Sequence, residues 1–402
     1  MNKWIGRLCL LGLFCALLVG CADDVVPVAP VAQSTPTISS TIAPTRAPTR
    51  APTPTNAPSA TPVPTPNPIG QQANGLVFER AFSSYGGRFA QTLAWSPDSQ
   101  TLARAGAELD TRLWRVGAEQ PLSLAGVSPI SVLAWSSQNV LATATFGSTV
   151  RLWNADGESL AILSEHFDSV LALAWNASGD TLASSGLDRR IWLWNADGSA
   201  QTTISDYELA VLALAWNPAG DTLAAGDAAP TVRWWNAAGA PFATGSGHTD
   251  DVRYLAWSPD GETLASGASD ATIRLWARDG SLVRTLTDHR EGISGLAWSP
   301  DGRYLASAAL DDTILIRSLD AVSQLVQPYT SNGAALAWNP AGTLLAAGSF
   351  TGLVRIFAAD GTMLRVLEGH TAECLAVAWS PDGRYLASAS LDGTVRLWRV
   401  AK

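Results

Sequence analysis

Residues 369–398 read GHTAECLAVAWSPDGRYLASASLDGTVRLW, and eight approximate copies of this stretch fill most of the chain. Each copy has an apolar strand ending in Ala-Trp and a turn rich in Pro, Asp and Gly. A second strand of the type Leu-Ala-Ser follows, then a third that usually ends in Arg-Leu-Trp. The tryptophans closing the first strands are Trp95, Trp135, Trp175, Trp216, Trp257, Trp298, Trp338 and Trp379, always 40 or 41 residues apart. A period of that length with several short strands per unit marks a radial or stacked β array. TVRLW and LAVAW carry apolar side chains on both sheet faces, so each small sheet needs a neighbour on either side. A ring of sheets supplies both neighbours and leaves only short, protected edges.

The turns agree with this reading. SPDG at 258–261, 299–302 and 380–383, and NPAG at 217–220 and 339–342, fit a tight turn with Pro early and Gly last. NADG at 154–157 and 195–198 closes the next hairpin in the same way. Counting the stretch after each hairpin, such as Thr362–Glu368, gives four strands per unit.

With Gly-His before the first strand, Ser-Pro-Asp-Gly in the first turn and Asp-Gly-Thr-Val-Arg-Leu-Trp in the third strand, the unit resembles the WD-repeat β-propeller family over residues 76–398. It departs from the family in one respect: no Trp is followed by Asp, the dipeptide that names it. The resemblance implies an all-β propeller of four-stranded antiparallel blades. The last unit stops four residues after Trp398 and lacks an outer strand, whereas Leu76–Phe82, ahead of the first unit, resembles the outer strand Ser281–Leu286. The expectation is eight blades, closed by the N-terminal strand joining the last blade.

The ends of the chain indicate a compartment. Lys3 and Arg7 precede an apolar run from Leu8 to Val19, shorter than the ~20 residues of a membrane span and suited to a secretory signal peptide. Leu18-Val19-Gly20-Cys21 resembles the bacterial lipobox, which implies lipidation at Cys21 and a mature chain that starts there. Residues 21–75, with PTRAPTRAPTPTNAPSATPVPTPNP, have no strand or helix period and read as a disordered Pro/Thr-rich tether. The expected organisation is a signal peptide over 1–20, this tether, and a propeller over 76–402. The expected location is the outer side of the bacterial cytoplasmic membrane, or the outer membrane if there is one.

Of the four cysteines, Cys9 and Cys15 leave with the signal and Cys21 takes the lipid, so Cys374 alone stays in the ring and no disulfide forms within the mature chain. It occupies the slot of Val252 and Ile293 and is expected to be a small buried hydrophobe. The net charge of −9 becomes −11 once Lys3 and Arg7 are removed, which opposes nucleic acid as a partner.

The four histidines share one slot. His166, His248, His289 and His370 each have a Ser 18 residues on (Ser184, Ser266, Ser307, Ser388) and an Asp 22 residues on (Asp188, Asp270, Asp311, Asp392). Three of these units end in Trp194, Trp276 and Trp398, and the fourth has Arg317. The other four units lack the His, and Arg104, Thr143, Ala225 and Ala347 stand in the Ser slot. A buried hydrogen-bond chain would behave in this way, because a half-satisfied chain costs more than an apolar filling. The resemblance implies that Trp, Ser, His and Asp are linked in series and lock the strands of a blade. A hydrolase would need one exposed Ser with an oxyanion site. The first strands carry no carboxylate or imidazole, and no phosphate loop, nucleophile elbow or spaced Cys pair occurs. The expectation is therefore no enzyme, no cofactor and no metal. Arg317 brings no indole donor to Ser307, so the sixth blade is expected to be the least rigid of these four.

In this family the loops before the first strand and after the second commonly bind partners. Carried over by position, the first set offers Phe89, Leu171, Leu212, Arg253 and Leu375. The second set offers Phe146, Leu187, Leu310, Phe350 and Leu391, large apolar residues where polar turns are the rule. The expected function is a membrane-anchored scaffold that binds protein or peptide partners through this face, with a monomeric propeller. The alternatives are an exported propeller enzyme and a carbohydrate- or cell-wall-binding module. Fourteen of the seventeen tryptophans sit at repeat core positions, which weighs against the carbohydrate reading.

Overall fold

The structure, a computed structural model, describes residues 75–83, 90–106, 111–124, 129–319, 325–330 and 333–401. The signal peptide, Cys21, the tether up to residue 74, and Phe89 lie outside them.

The described chain forms 32 strands in eight four-stranded sheets. Seven sheets, here blades 1 to 7, are built from consecutive strands in sequence order: 90–124, 130–163, 170–204, 211–245, 252–286, 293–330 and 333–367. Blade 8 takes three strands from 374–400, and its fourth, outermost strand is Leu76–Ser83. That strand pairs antiparallel with Thr394–Val400, from Leu76 opposite Val400 to Ser83 opposite Thr394. The innermost strand of each blade touches that of the next, and blade 8 touches blade 1, so the ring is closed with eight blades. The fold expected from the tryptophan spacing is the one observed.

There is no single core. Eight apolar clusters each join two consecutive blades, one cluster per seam. This is the packing that sheets with two apolar faces require. The second strands are buried along all or all but the first residue of their length, Thr181–Gly186 throughout, and use mostly small residues, which lets adjacent blades approach closely. The turns do their part with side chains. In blade 5, Ser258 Oγ donates to Asp260 and accepts the Thr263 N–H at 2.9 Å, while Gly261 at φ +74° donates its N–H to the Ser258 carbonyl at 2.9 Å. That left-handed position favours glycine.

The first-strand tryptophans form a girdle. Each indole N–H of Trp95, Trp135, Trp175, Trp216, Trp257, Trp298 and Trp338 donates to the carbonyl of the alanine before the Trp one blade back, at 2.9–3.2 Å. Trp95 reaches Ala378, so the girdle crosses the closure seam. Trp379 is the exception, with no acceptor for its indole N–H among the described residues. Trp257 and Trp379 are 9% and 8% exposed, so a Phe at either site loses a similar apolar area. Trp257→Phe also leaves the Ala215 carbonyl without its donor. It is expected to cost about 1 kcal/mol more than Trp379→Phe, read from denaturant midpoints. Equal costs would show that these bonds contribute nothing.

Candidate protein-binding face

One end of the ring carries the loops that enter the first strands and the turns that follow the second strands. In blade 3 the Leu187 N–H donates to the Ser169 carbonyl at 2.9 Å, which clasps the turn to the lead-in loop. The same bond runs from Phe146 to Pro129, Ala228 to Ala210, Ser269 to Asp251, Leu310 to Gly292 and Leu391 to Glu373, at 2.9–3.0 Å. The two sets of residues singled out in the sequence therefore meet in blades 3 and 8, where Leu171 and Leu187, and Leu375 and Leu391, belong to one clasped pair of segments.

The lead-in residues have a further property. Every first strand has a register shift at its second residue, between Val170 and Ala172, Val211 and Ala213, Val252 and Tyr254, and Cys374 and Ala376 in blades 3, 4, 5 and 8. Leu171, Leu212, Arg253 and Leu375 are the bulge residues. A bulge leaves one residue out of the ladder and re-aims its side chain at the rim. Arg253 is held there by Asp251 at 2.5 Å and Ser269 at 3.3 Å. Leu171, Leu212, Arg253 and Leu375, with the turn residues Phe146, Leu187, Leu310, Phe350 and Leu391, are all half-buried. The most exposed large apolar side chain of the described residues is another one on the same end, Phe167, at 74%.

Beneath the loops lie the histidine networks. In blade 3, Trp194 Nε1 donates to Ser184 Oγ at 2.8 Å, Ser184 Oγ meets His166 Nε2 at 2.7 Å, and His166 Nδ1 meets Asp188 at 2.7 Å. Blades 5 and 8 repeat the chain, with His–Ser distances of 2.7 and 2.8 Å and His–Asp distances of 3.0 Å in both. Trp276 and Trp398 close it at 2.8 and 3.3 Å. Only a neutral imidazole with its proton on Nδ1 satisfies every member: it donates to Asp and accepts from the Ser hydroxyl, whose oxygen takes the indole N–H. The Asp then accepts the backbone N–H after the histidine, Thr249 and Thr371 at 2.9 Å. Each network thus ties the turn to the lead-in loop and stiffens the face above it. Ser184, Ser266 and Ser388 are fully buried, so no substrate can reach their hydroxyls.

Sequence reasoning missed several members. Thr272, Thr313 and Thr394 each approach the histidine Nδ1, at 3.0–3.1 Å, and donate to the Asp at 2.6–2.7 Å. Blade 2 keeps half a network: Trp153 Nε1 donates to Thr143 Oγ1 at 2.9 Å. Blade 4 fills the space with Tyr207, 5% exposed, whose ring lies 5.6 Å from Trp235. Tyr207 stands 28 residues before Trp235, the spacing of every His to the end of its third strand, so it could have been found by position. In blade 6, Ser307 meets His289 at 2.8 Å, and Arg317 pairs instead with Asp288. With no indole on Ser307, amide hydrogen exchange is expected to be faster in blade 6 than in blades 3, 5 and 8. Equal protection in all four would remove the indole from the argument.

Charge follows from burial. Burial pushes the His248, His289 and His370 imidazoles below their ordinary value of 6.5, against the pull of their Asp partners. Burial would raise Asp188, Asp270, Asp311 and Asp392, but the hydrogen bonds they accept outweigh it and leave them below the usual carboxylate range. A lowered histidine keeps the fold from taking up a proton that the unfolded chain accepts below 6.5. Stability is then complete above that value and declines as the pH falls through it. The lowered aspartates add a second loss below 3.8. The melting temperature is expected to fall between about pH 7 and pH 5, ahead of the titration of the lowered aspartates. A flat profile there would mean that the imidazoles can be protonated in place.

Cys374 is fully buried, its thiol pushed up to about 12 by burial. No group of three or more His, Cys, Asp or Glu among the described residues is placed to hold a metal. No helix of the described residues is long and apolar enough to cross a membrane.

The architecture defines a class: an eight-bladed β-propeller of four-stranded antiparallel blades. The chain carries WD40 repeats, since residues 157–195, 198–236, 239–277, 280–318 and 361–399 match the WD domain, G-beta repeat. It is similar to Coronin-7 of Homo sapiens, 35% identical over 113 residues, 25% of this chain and 12% of that protein. It is also similar to the F-box-like/WD repeat-containing protein TBL1X of Mus musculus, 27% identical over 24% of this chain and 21% of that protein. The matched stretches are thus a small part of both relatives. Among solved structures, the computationally designed Ika8 protein aligns with a TM-score of 0.71 at 22% identity, over 82% of this chain and all of that one. The C-terminal WD40 domain of Sif2 aligns with the same TM-score at 18% identity, over 82% of this chain and 99% of that one. At these identities the structural likeness establishes the fold alone.

Proposed function

We propose that the protein is a membrane-anchored, extracytoplasmic scaffold that binds protein or peptide partners through the loop end of its propeller. One observation carries this reading: bulge residues and apolar turn residues are clasped together around one end of a closed ring. Bulges re-aim side chains at barrel and ring rims, where binding surfaces are built. The recurring Ser, His and Asp residues are used up in buried chains beneath that surface. The anchor rests on the sequence of residues 1–21 alone. WD-repeat relatives support the interaction role in kind and name no partner for this chain.

The test is a pull-down from cell envelopes with residues 76–402, repeated with Phe146, Leu187 and Phe350 changed to Ser. The variant is expected to keep its melting transition and lose the captured proteins. An unchanged set would remove the face assignment. Fatty-acid labelling that survives Cys21→Ser would remove the anchor.

A further inference from the structure

Each blade ends in an outermost strand that pairs on one side only. Such a strand shows a row of free backbone N–H and C=O groups, a template on which another chain can pair. Seven of the eight edges are blunted. That of blade 1 is three residues long, Leu122–Leu124. Those of blades 4 and 6 hold Pro241 and Pro328, those of blades 5 and 7 hold Arg284 and Arg365, and that of blade 8 holds Glu79 and Arg80. The edge of blade 3, Ala200–Ile204, reads AQTTI and is polar at its centre. Short length, proline, charge and polar side chains all defend an edge against a foreign strand.

Blade 2 has none of these defences. Its edge, Ser159–Leu163, reads SLAIL. Leu163 is buried in the cluster shared with blade 3, while Leu160 and Ile162 stay outside at 51% and 57% exposure. The two ends of the strand are acidic: Glu158 precedes it, Glu165 follows two residues after it, and both are exposed. Glu158 accepts an Asn154 side-chain N–H at 2.8 Å, and Glu165 accepts the Ser164 N–H at 2.8 Å. Neither forms an ion pair among the described residues, whereas nearby Asp156 is held by Arg115. Arg151, on the adjacent strand, turns its guanidinium over the Trp153 ring at 6.0 Å and has its Nε buried. The edge is therefore an unguarded apolar strand with an unpaired carboxylate at either end, on a chain of net charge −9.

We propose that the outer edge of blade 2 accepts an extended peptide as a fifth strand, with alternating apolar residues at its centre and a lysine or arginine at each end. The peptide main chain pairs with the free N–H and C=O groups of Ser159–Leu163. Its apolar side chains pack beside Leu160 and Ile162, and its terminal cations meet Glu158 and Glu165. Charge selects against a second copy of this chain as the occupant. Two SLAIL strands paired antiparallel about Ala161 set Glu158 opposite Ser164 of the other copy, next to that copy's Glu165, so two carboxylates meet at each end. The site lies on the rim and stands whether or not partners bind the loop end.

The probe is a fluorescein-labelled Lys-Thr-Val-Thr-Val-Thr-Lys peptide, read by anisotropy on the full chain. Two control peptides carry Glu in place of Lys, or Pro in place of the central Thr. Two protein variants alter exposed side chains only: L160K/I162K installs charge of the sort that guards blades 5 and 7, and E158Q/E165Q removes the terminal charges. Both are expected to melt within a few degrees of the parent. The lysine peptide is expected to bind and to slow amide exchange across Ser159–Leu163. Its affinity is expected to fall about tenfold or more on L160K/I162K and several-fold on E158Q/E165Q, with a weaker salt dependence on the latter. The Glu and Pro peptides are expected not to bind. No binding of the lysine peptide, equal binding of the Pro peptide, or an affinity unchanged by L160K/I162K would overturn the proposal. A parent that is dimeric by gel filtration and becomes monomeric on L160K/I162K would overturn it too, with a second copy as the occupant.

Discussion

Removal of Leu76–Ser83 is expected to abolish the cooperative unfolding transition of the propeller. That strand is in contact with three blades at once. It completes the ladder of blade 8 along Thr394–Val400. Leu76 is 1% exposed, in a cluster shared by blades 7 and 8, and its carbonyl accepts Arg365 of blade 7 at 2.5 Å. Phe78 lies 5.4 Å from Trp398, and Phe82 lies 4.8 Å from Trp114 of blade 1. Arg80 donates to the Ala118 carbonyl of blade 1 at 3.0 Å. Without the strand, the third strand of blade 8 becomes an unpaired edge, and the seams on either side lose apolar cover. Burying one large side chain is worth about 2 kcal/mol. Leu76 is fully buried, Phe82 half-buried and Phe78 46% exposed, so these side chains and the lost ladder bonds together reach about the lower end of the 5–15 kcal/mol total stability of a typical domain. The measurement is thermal unfolding followed by circular dichroism, with gel filtration for aggregation. A synthetic peptide LVFERAFS added back should restore the transition. A truncated ring that melts within a few degrees of the parent would show that the other seams alone hold the circle.

The ring itself was readable because its cause is local. Apolar residues on both faces of TVRLW and LAVAW demand two neighbours per sheet, and a constant interval between tryptophans demands equal sheets. The closing strand could be placed because Leu76–Phe82 resembles an outer strand and the last unit lacks one. The girdle could not be read, since its acceptors are backbone carbonyls of the preceding blade, such as Ala134 for Trp175, and no residue type announces them. The loop end was readable as a set of positions, but not its exposure. Phe146 and Leu187 turn out half-buried, while Phe167, in the slot of Thr249 and Thr371, is left bare. Burial of a turn residue depends on the path of the neighbouring loop, which sequence periodicity does not encode.

The second large effect concerns the buried chains and shrinks when two changes are combined. Ser266→Ala is expected to destabilise the protein by about 2–4 kcal/mol, because it strands two donors or acceptors in a dry site. Trp276 Nε1 loses its acceptor at 2.8 Å, and His248 Nε2 loses its donor at 2.7 Å. Ser266 is fully buried, so water cannot replace the hydroxyl without opening the seam. Blade 4 shows how the same scaffold does without the network: Ala225 holds the serine slot and Tyr207 the histidine slot, its ring tilted against Trp235. The second-strand turn there is held by Asp227, which accepts the Thr231 N–H at 2.9 Å and the Ala229 N–H at 3.0 Å. The double variant H248Y/S266A is therefore expected to be more stable than Ser266→Ala alone. The aromatic ring removes the orphaned imidazole nitrogen and fills the space left by the hydroxyl. A double-mutant cycle from urea midpoints should return a favourable coupling of about 1 kcal/mol or more. Additive costs would mean that the histidine and serine act independently, and the joint presence and absence of these residues across the blades would then have no energetic basis.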